Sequence, residues 1–282
     1  YNCPQIAGAY LIIENDRAVF IENNTSHAVP KLLMALKAAG LGPEQVDYLI
    51  VTHVHLDHAG GTSVLLAQCP NATVLAHPKA AKRLINPARL IESAKIVYGE
   101  AEYFRKYGTI APIPTERVRP VEDGESVSFA ARTFRFFHTL GHATHHVCIL
   151  DSASDAVFTG DAFGLCYPAL QKNGLFIFPS TSPVDFDPLE ARISIDRICS
   201  LGAKTAYLTH FGKVADLPQA REQLLYSLKA HEKILEEIVI SNLSGDARFR
   251  FCLSKVQDHF EKRGVDISGF IRADIELNAA GI

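Results

Sequence analysis

The stretch Val51-Thr52-His53-Val54-His55-Leu56-Asp57-His58-Ala59-Gly60-Gly61 sets three histidines and an aspartate close together on a short piece of chain. It follows Tyr48-Leu49-Ile50-Val51, an apolar run read as the centre of a strand over 47–52, and leads into a helical pattern over 61–68. Side chains two apart in extended backbone point to one side, so His53 and His55 can converge on a single ion. Asp57 and His58, where the chain turns, can reach a second position close by. Gly60 and Gly61 let the backbone pass close beneath. Imidazole and carboxylate ligands suit Zn, Fe or Mn, and the lack of thiolates argues against a soft-metal site.

Four such residues cannot fill two ion sites. Three further candidates each follow a predicted strand: His142 after 134–138, Asp161 after 156–159, and His210 after 205–209. Each has a glycine one or two residues away. Strand ends opening into loops are where layered α/β folds collect site residues. A lone histidine is more often a core or surface residue than a ligand, but three hits behind the dense 53–58 cluster point to metal.

Outward from the cluster, the chain reads as strand, helix, strand. Strands are expected at 8–14 and 18–22 around Asn15-Asp16-Arg17, a helix over 28–39, and a strand at 73–76. Residues 78–107 read helical with a break at Asn86-Pro87, and Leu90, Ile91, Ala94, Val97, Tyr98, Ala101 and Phe104 form an apolar stripe. From 117 to 161 the texture is β-rich, with strands at 118–121, 134–138, 147–150 and 156–159. A helix at 187–201 and a strand at 205–209 repeat the βα theme. The order predicts a layered α/β fold over 1–212. Beyond it, 213–282 reads as a helical extension, with helices at 216–242 and 246–263.

The 282 residues are 48 % hydrophobic and 21 % charged, a globular composition. Lys and Arg number 28 against 31 Asp and Glu, and no basic stripe is present, which disfavours nucleic acid as a partner. No segment has the apolar length of a membrane span. Tyr1-Asn2-Cys3-Pro4 shows no basic or apolar leader. The six cysteines are scattered without a CxxC pair, as expected of buried free thiols in a reducing compartment, and the cytoplasm is the expected location.

The ordered set His-x-His-x-Asp-His, then His, Asp and His resembles the metallo-β-lactamase fold superfamily, in its dinuclear hydrolase branch. The resemblance covers about residues 7–212 and implies an αββα four-layer sandwich with metals on the rim between two sheets. Through it, His53, His55 and His142 look like ligands of a first divalent ion. Asp57, His58 and His210 look like ligands of a second, and Asp161 like the bridge. Zn is the leading ion, with Fe or Mn as alternatives. A water shared by two such ions loses a proton near neutral pH, and the hydroxide attacks a carbonyl or phosphoryl centre with no side-chain nucleophile. Asp57 can orient it. The long gap after the first cluster and the C-terminal helices are similar in plan to the glyoxalase II-like and quinolone-signal thioesterase-like members.

Departures from the pattern narrow the branch. Zinc β-lactamases carry Cys where Asp161 stands, and oxygen-reducing flavodiiron members carry Glu where His55 stands. The usual Asp-x-Gly after the second strand is replaced by Glu22-Asn23-Asn24, which alters the support of the first ligands. His145 and His146 follow His142 closely, and His146 is expected to pack or hydrogen-bond behind the ligands. His138 is expected in a strand, and His27, His77, His231 and His259 at surfaces or caps. The run 162–179 is aromatic and almost uncharged. It either lines a pocket for an apolar acyl group, with Tyr167 donating to the carbonyl oxygen, or closes a small core against the C-terminal helices. Those helices are expected to wall the pocket or to pair two chains as a homodimer.

The leading function is therefore hydrolysis of a small acyl ester, a thioester or a lactone. An iron-dependent persulfide-type dioxygenase and a metal-holding regulatory binding protein are the alternatives.

Overall fold

The computed structural model describes residues 5–183, 185–267 and 269–282, the side chain of Phe270 excepted. A hairpin opens the first sheet. β1 (Tyr10–Glu14) and β2 (Arg17–Ile21) pair antiparallel around Asn15 and Asp16. Both turn residues have positive φ, 50° and 56°, which short polar side chains tolerate and a two-residue hairpin requires. β3 (Val46–Ile50), β4 (Thr73–Ala76) and β5 (Val118–Pro120) then add in parallel. Parallel neighbours need crossovers. The first crossover carries α1 (Val29–Ala38), the second α2 (Leu56–Ala59) and α3 (Thr62–Gln68). The third holds α4 (Pro78–Ile85), α5 (Ala88–Tyr98) and α6 (Glu100–Tyr107).

The second sheet contains β6 (Ser126–Phe129), β7 (Arg132–His138), β8 (Val147–Asp151), β9 (Ala156–Gly160), β10 (Thr205–Leu208) and β11 (Gly212–Val214). They lie side by side in the order β11-β10-β9-β8-β7-β6. The parallel pair β9–β10 is bridged by α7 (Pro188–Ser200). Three helices close the chain: α8 (Leu217–Ser241), α9 (Gly245–Lys262) and α10 (Arg272–Gly281).

Strand parity builds the layers. In β2, Ala18 and Phe20 face α1, α3 and α4, while Val19 and Ile21 face the second sheet. Leu49 and Val74 point out to the helices, and Ile50 and Leu75 point in. In the second sheet Val147, Ile149 and Phe158 point in, and Cys148 and Val157 meet α7 and α8. Strands apolar on both faces are what a sheet covered on both sides demands. The result is the expected αββα sandwich.

Several elements were not read from the sequence. β6 and β11 are short, and α10 carries a mixed composition. The helical run over 78–107 breaks twice, at Pro87 and again at Gly99 with φ 77°. The second break ends the apolar stripe. Leu90, Ile91 and Ala94 pack with Tyr103 and Tyr107 beneath Leu56, but Val97 is left 73 % exposed.

The aromatic run is core more than pocket. Leu165, Tyr167, Phe176 and Phe178 pack with Ile234, Ile238, Val256, Phe260 and Ile275 of the last three helices. His77, expected at a surface or cap, does cap α4 through Lys79 N but is buried. His231 and His259 are corrected outright: both are buried where α8 meets α9, because they fall on the helix faces that pack. Cys69, Cys148, Cys166 and Cys252 are buried free thiols and Cys199 is partly buried, while Cys3 lies outside the described residues. Among the described residues no helix is long and apolar enough to cross a membrane.

Candidate metal centre

Five strand ends open on one edge of the sandwich. β2 delivers Glu22, β3 the 53–58 loop, β7 the loop with His142, β9 Asp161 and β10 His210. The edge is tied across the two sheets where Val147 N donates to Thr52 O at 2.8 Å. Two glycines permit the crowding. A Cβ at Gly61 would lie 2.4 Å from Asn23 O, and one at Gly160 (φ 49°) would lie 2.5 Å from both Thr52 Oγ1 and His146 Nε2.

The structure brings all seven sequence-derived candidates together. Three nitrogens meet on one side: His53 Nε2 is 2.9 Å from His55 Nδ1, which is 3.0 Å from His142 Nε2. On the other side His210 Nε2 lies 3.3 Å from both His58 Nε2 and Asp57 Oδ2. Asp161 stands between, with Oδ1 3.4 Å from His58 Nε2 and Oδ2 3.5 Å from His142 Nε2.

The outer nitrogens fix the tautomers. His142 Nδ1 donates to Ser180 O at 3.1 Å and His210 Nδ1 to Ile6 O at 2.6 Å. A carbonyl can only accept, so in the neutral rings these Nε2 atoms turn lone pairs toward the cluster. His58 Nδ1 donates to Glu22 Oε1 at 3.1 Å. Thr52 Oγ1 donates to the same oxygen at 2.5 Å and accepts from His53 Nδ1 at 3.0 Å. Glu22, only 1 % exposed and at φ 65°, also accepts from Thr209 Oγ1. It supplies a buried carboxylate at the place where the sequence departs from Asp-x-Gly. Sequence reading saw the departure there but not the replacement, because a glutamate needs the positive-φ turn to aim inward.

Converging lone pairs repel unless a cation sits among them, and Asp161 Oδ1 is buried with no hydrogen-bond partner among the described residues. The donor set fits divalent ions on both counts. The charges agree. Burial works against an imidazolium at His58, yet Asp161, Glu22 and Asp57 outweigh it and push its pKa well up. Burial likewise opposes the charge on His210, and Asp161 and Asp57 raise it to about 9. Burial would raise Asp161, but His58, His210 and His142 hold its carboxyl well below the usual range. His55, buried beside His142, is lowered to about 3. Protons and cations therefore compete for one anionic pocket.

Two neighbours lie behind the cluster. His146 Nε2 accepts from Asp161 N at 3.2 Å, and its Nδ1 pairs with Thr139 Oγ1. Tyr167 borders His210, with ring centroids 6.2 Å apart, and its hydroxyl donates to Asp274 Oδ1 at 3.4 Å. Sequence reading missed Asp274, which has no motif around it.

The family model described as the metallo-beta-lactamase superfamily matches residues 9–210. The chain belongs to that superfamily. Among curated proteins, this superfamily member is similar to a metallo-beta-lactamase fold-containing protein, ST1585, of Sulfurisphaera tokodaii. The two are 29 % identical over 247 residues, 86 % of each chain. The crystal structure of the archaeal ST1585 superposes with a TM-score of 0.68 at 26 % identity, covering 99 % of this chain and 93 % of that one. At lower coverage the chain is similar to the atrochrysone carboxyl ACP thioesterase of Aspergillus fumigatus, 25 % identical over 78 % of this chain and 55 % of that protein. It is also similar to the hydroxyacylglutathione hydrolase of Francisella tularensis subsp. novicida, 27 % identical over 54 % of this chain and 45 % of that protein. The chain thus spans about half the length of these last two.

Proposed function

We propose that the protein is a dinuclear metal-dependent hydrolase of a small acyl ester, with a thioester as the leading substrate and a lactone next. The observation that carries the reading is the paired donor set: three nitrogens on one side, Asp57, His58 and His210 on the other, and Asp161 with one oxygen toward each. A mononuclear iron oxygenase would leave the second set without work. Bound ions would lower the pKa of a shared water and polarise the substrate carbonyl.

The remaining chemistry belongs to the chain. His53, His55 and His142 would hold one ion, Asp57, His58 and His210 the other, and Asp161 both. Asp57 is half-buried, with a side chain 28 % accessible, so it can orient the incoming water as well as ligate. Tyr167 is the candidate donor to the carbonyl oxygen as charge develops there. Two thiols of this half of the molecule are poor nucleophiles: burial pushes Cys166 up to about 11 and Cys148 to about 12. Two relatives, by name a thioesterase and a hydroxyacylglutathione hydrolase, support acyl transfer to water. The net charge of -3 supports a small substrate over a nucleic-acid polymer.

The test is metal analysis of protein from unsupplemented cells, paired with a panel of thioesters, lactones and phosphodiesters. Close to two ions per chain and turnover of a thioester or lactone are expected. One iron per chain with oxygen consumption would overturn the reading.

A further inference from the structure

The last helix of the chain reaches the candidate centre. Asn278 of α10 clamps the 179–181 segment. Its Oδ1 accepts from Thr181 N at 2.9 Å and from Thr181 Oγ1 at 3.1 Å, and its Nδ2 donates to Pro179 O at 3.1 Å. The backbones meet so closely that a Cβ at Gly281 would fall 1.5 Å from Thr181 O. Ser180, inside that clamped segment, supplies the carbonyl that holds His142. α10 is therefore fixed against the wall of the site.

Asp274 lies one turn before Asn278 on the same helix and accepts a hydrogen bond from the Tyr167 hydroxyl. The rest of Tyr167 is pinned too. Its ring packs between His210 and Phe178, and the neighbouring Cys166 N donates to His210 O at 2.5 Å. The hydroxyl is the one part of this side chain whose direction depends on Asp274. At 3.4 Å the bond is long, so the proton can turn from Asp274 to an arriving carbonyl oxygen while the phenol oxygen stays in place. Asp274 is near enough to the centre for Asp161, Asp57 and His210 all to act on its charge.

We propose that Asp274 is a positioning residue that acts through Tyr167, orienting the phenol hydroxyl beside His210 for a carbonyl oxygen that develops charge at the metal centre. The inference rests on the hydrolase reading and adds to it a residue supplied by the C-terminal extension. Removing Asp274 takes away the acceptor toward which the hydroxyl points. Asn at 274 keeps an acceptor for the hydroxyl, whereas Ala does not.

The test is a double-mutant cycle on zinc-loaded protein with Asp274→Ala, Asp274→Asn and Tyr167→Phe, read in two ways. One is kcat on a thioester that the wild type hydrolyses. The other is the Kd of phenylphosphonate, a tetrahedral anion, by calorimetry. Asp274→Ala and Tyr167→Phe should each lower kcat and weaken phosphonate about tenfold, with the double variant within about twofold of either. Asp274→Asn should restore most of the loss, and zinc content should stay at the wild-type level throughout. An Asp274→Ala loss that persists undiminished in the Tyr167→Phe background would overturn the proposal, as would a zinc deficit that accounts for it. If neither a thioester nor a lactone is turned over, the hydrolase reading fails, and the phosphonate cycle still decides whether Asp274 acts through Tyr167.

Discussion

Glu22 gathers four protons' worth of hydrogen bonding from Thr52, His58 and Thr209 onto one buried carboxylate. Such outer partners raise the basicity of the imidazoles they hold, and losing one costs roughly 10–100-fold in metal affinity. Glu22→Gln keeps the shape but not the charge, so zinc affinity should fall by that factor in a competition with a chromophoric chelator. Asp161→Ala should go further and lose most of both ions, because its two oxygens serve both donor sets. Full occupancy in that variant would remove Asp161 from the centre. The pH dependence has a definite sign. Despite their burial, His58 and His210 are raised by the carboxylates, His210 to about 9, so both carry protons at pH 7 in the metal-free protein. Metal must displace those protons. Zinc binding should therefore release protons at pH 7 and tighten as pH rises toward about 9, seen as a buffer-dependent heat in calorimetry. Affinity that is flat between pH 6 and 9 would contradict the carboxylate–imidazole pairing.

At the scale of elements, α8 and α9 meet over His231 and His259, two buried imidazoles. Among the described residues neither ring nitrogen of His231 has a hydrogen-bond partner, and burial lowers its pKa to about 3. The unfolded chain takes up a proton near 6.5, whereas the folded protein does not until about 3. Stability is thus fully present above about pH 6.5 and falls as the pH drops through that window. The slope is about 1.4 kcal/mol per pH unit for one group. His231→Leu should flatten the decline of Tm between pH 6.5 and 4.5 relative to the wild type. An unchanged slope would place the acid sensitivity elsewhere. The helix α10 carries a second expectation. Deleting 272–282 removes the clamp on 179–181 and the partner of Tyr167, so it should lower zinc affinity through His142 and raise KM. A truncated protein with wild-type zinc affinity and KM would show that the helix has no part in the site.

For the whole molecule, the centre is where two sheets meet, so bound ions staple one half of the sandwich to the other. Ligand binding to the folded state alone contributes about 4 kcal/mol at a thousandfold excess over Kd. For a chain of this size that corresponds to roughly 5–10 °C in Tm for one ion. Chelation should lower Tm by at least that amount, in a transition that zinc restores. The fold was legible in the sequence because its signals are local. Parity of apolar residues in β2, β3 and β4 needs only a few neighbours to express, and the 53–58 motif carries its ligand types within one turn. The seven donors could be named because each follows a strand, and strands that share a sheet end on a common edge. Other features depended on distant chain segments. Glu22 became a support only through a positive-φ turn that aims it at Thr52 and His58. The aromatic run 162–179 read equally as pocket or core, since composition does not say what lies opposite, and α8, α9 and α10 turned out to cover it. His231 and His259 looked like surface residues until the packing of two helices enclosed them. Asp274 had no local mark at all. A residue's chemistry is written in the sequence, but its neighbours across the fold are chosen by packing, and the tertiary structure alone brought the last helix to Tyr167.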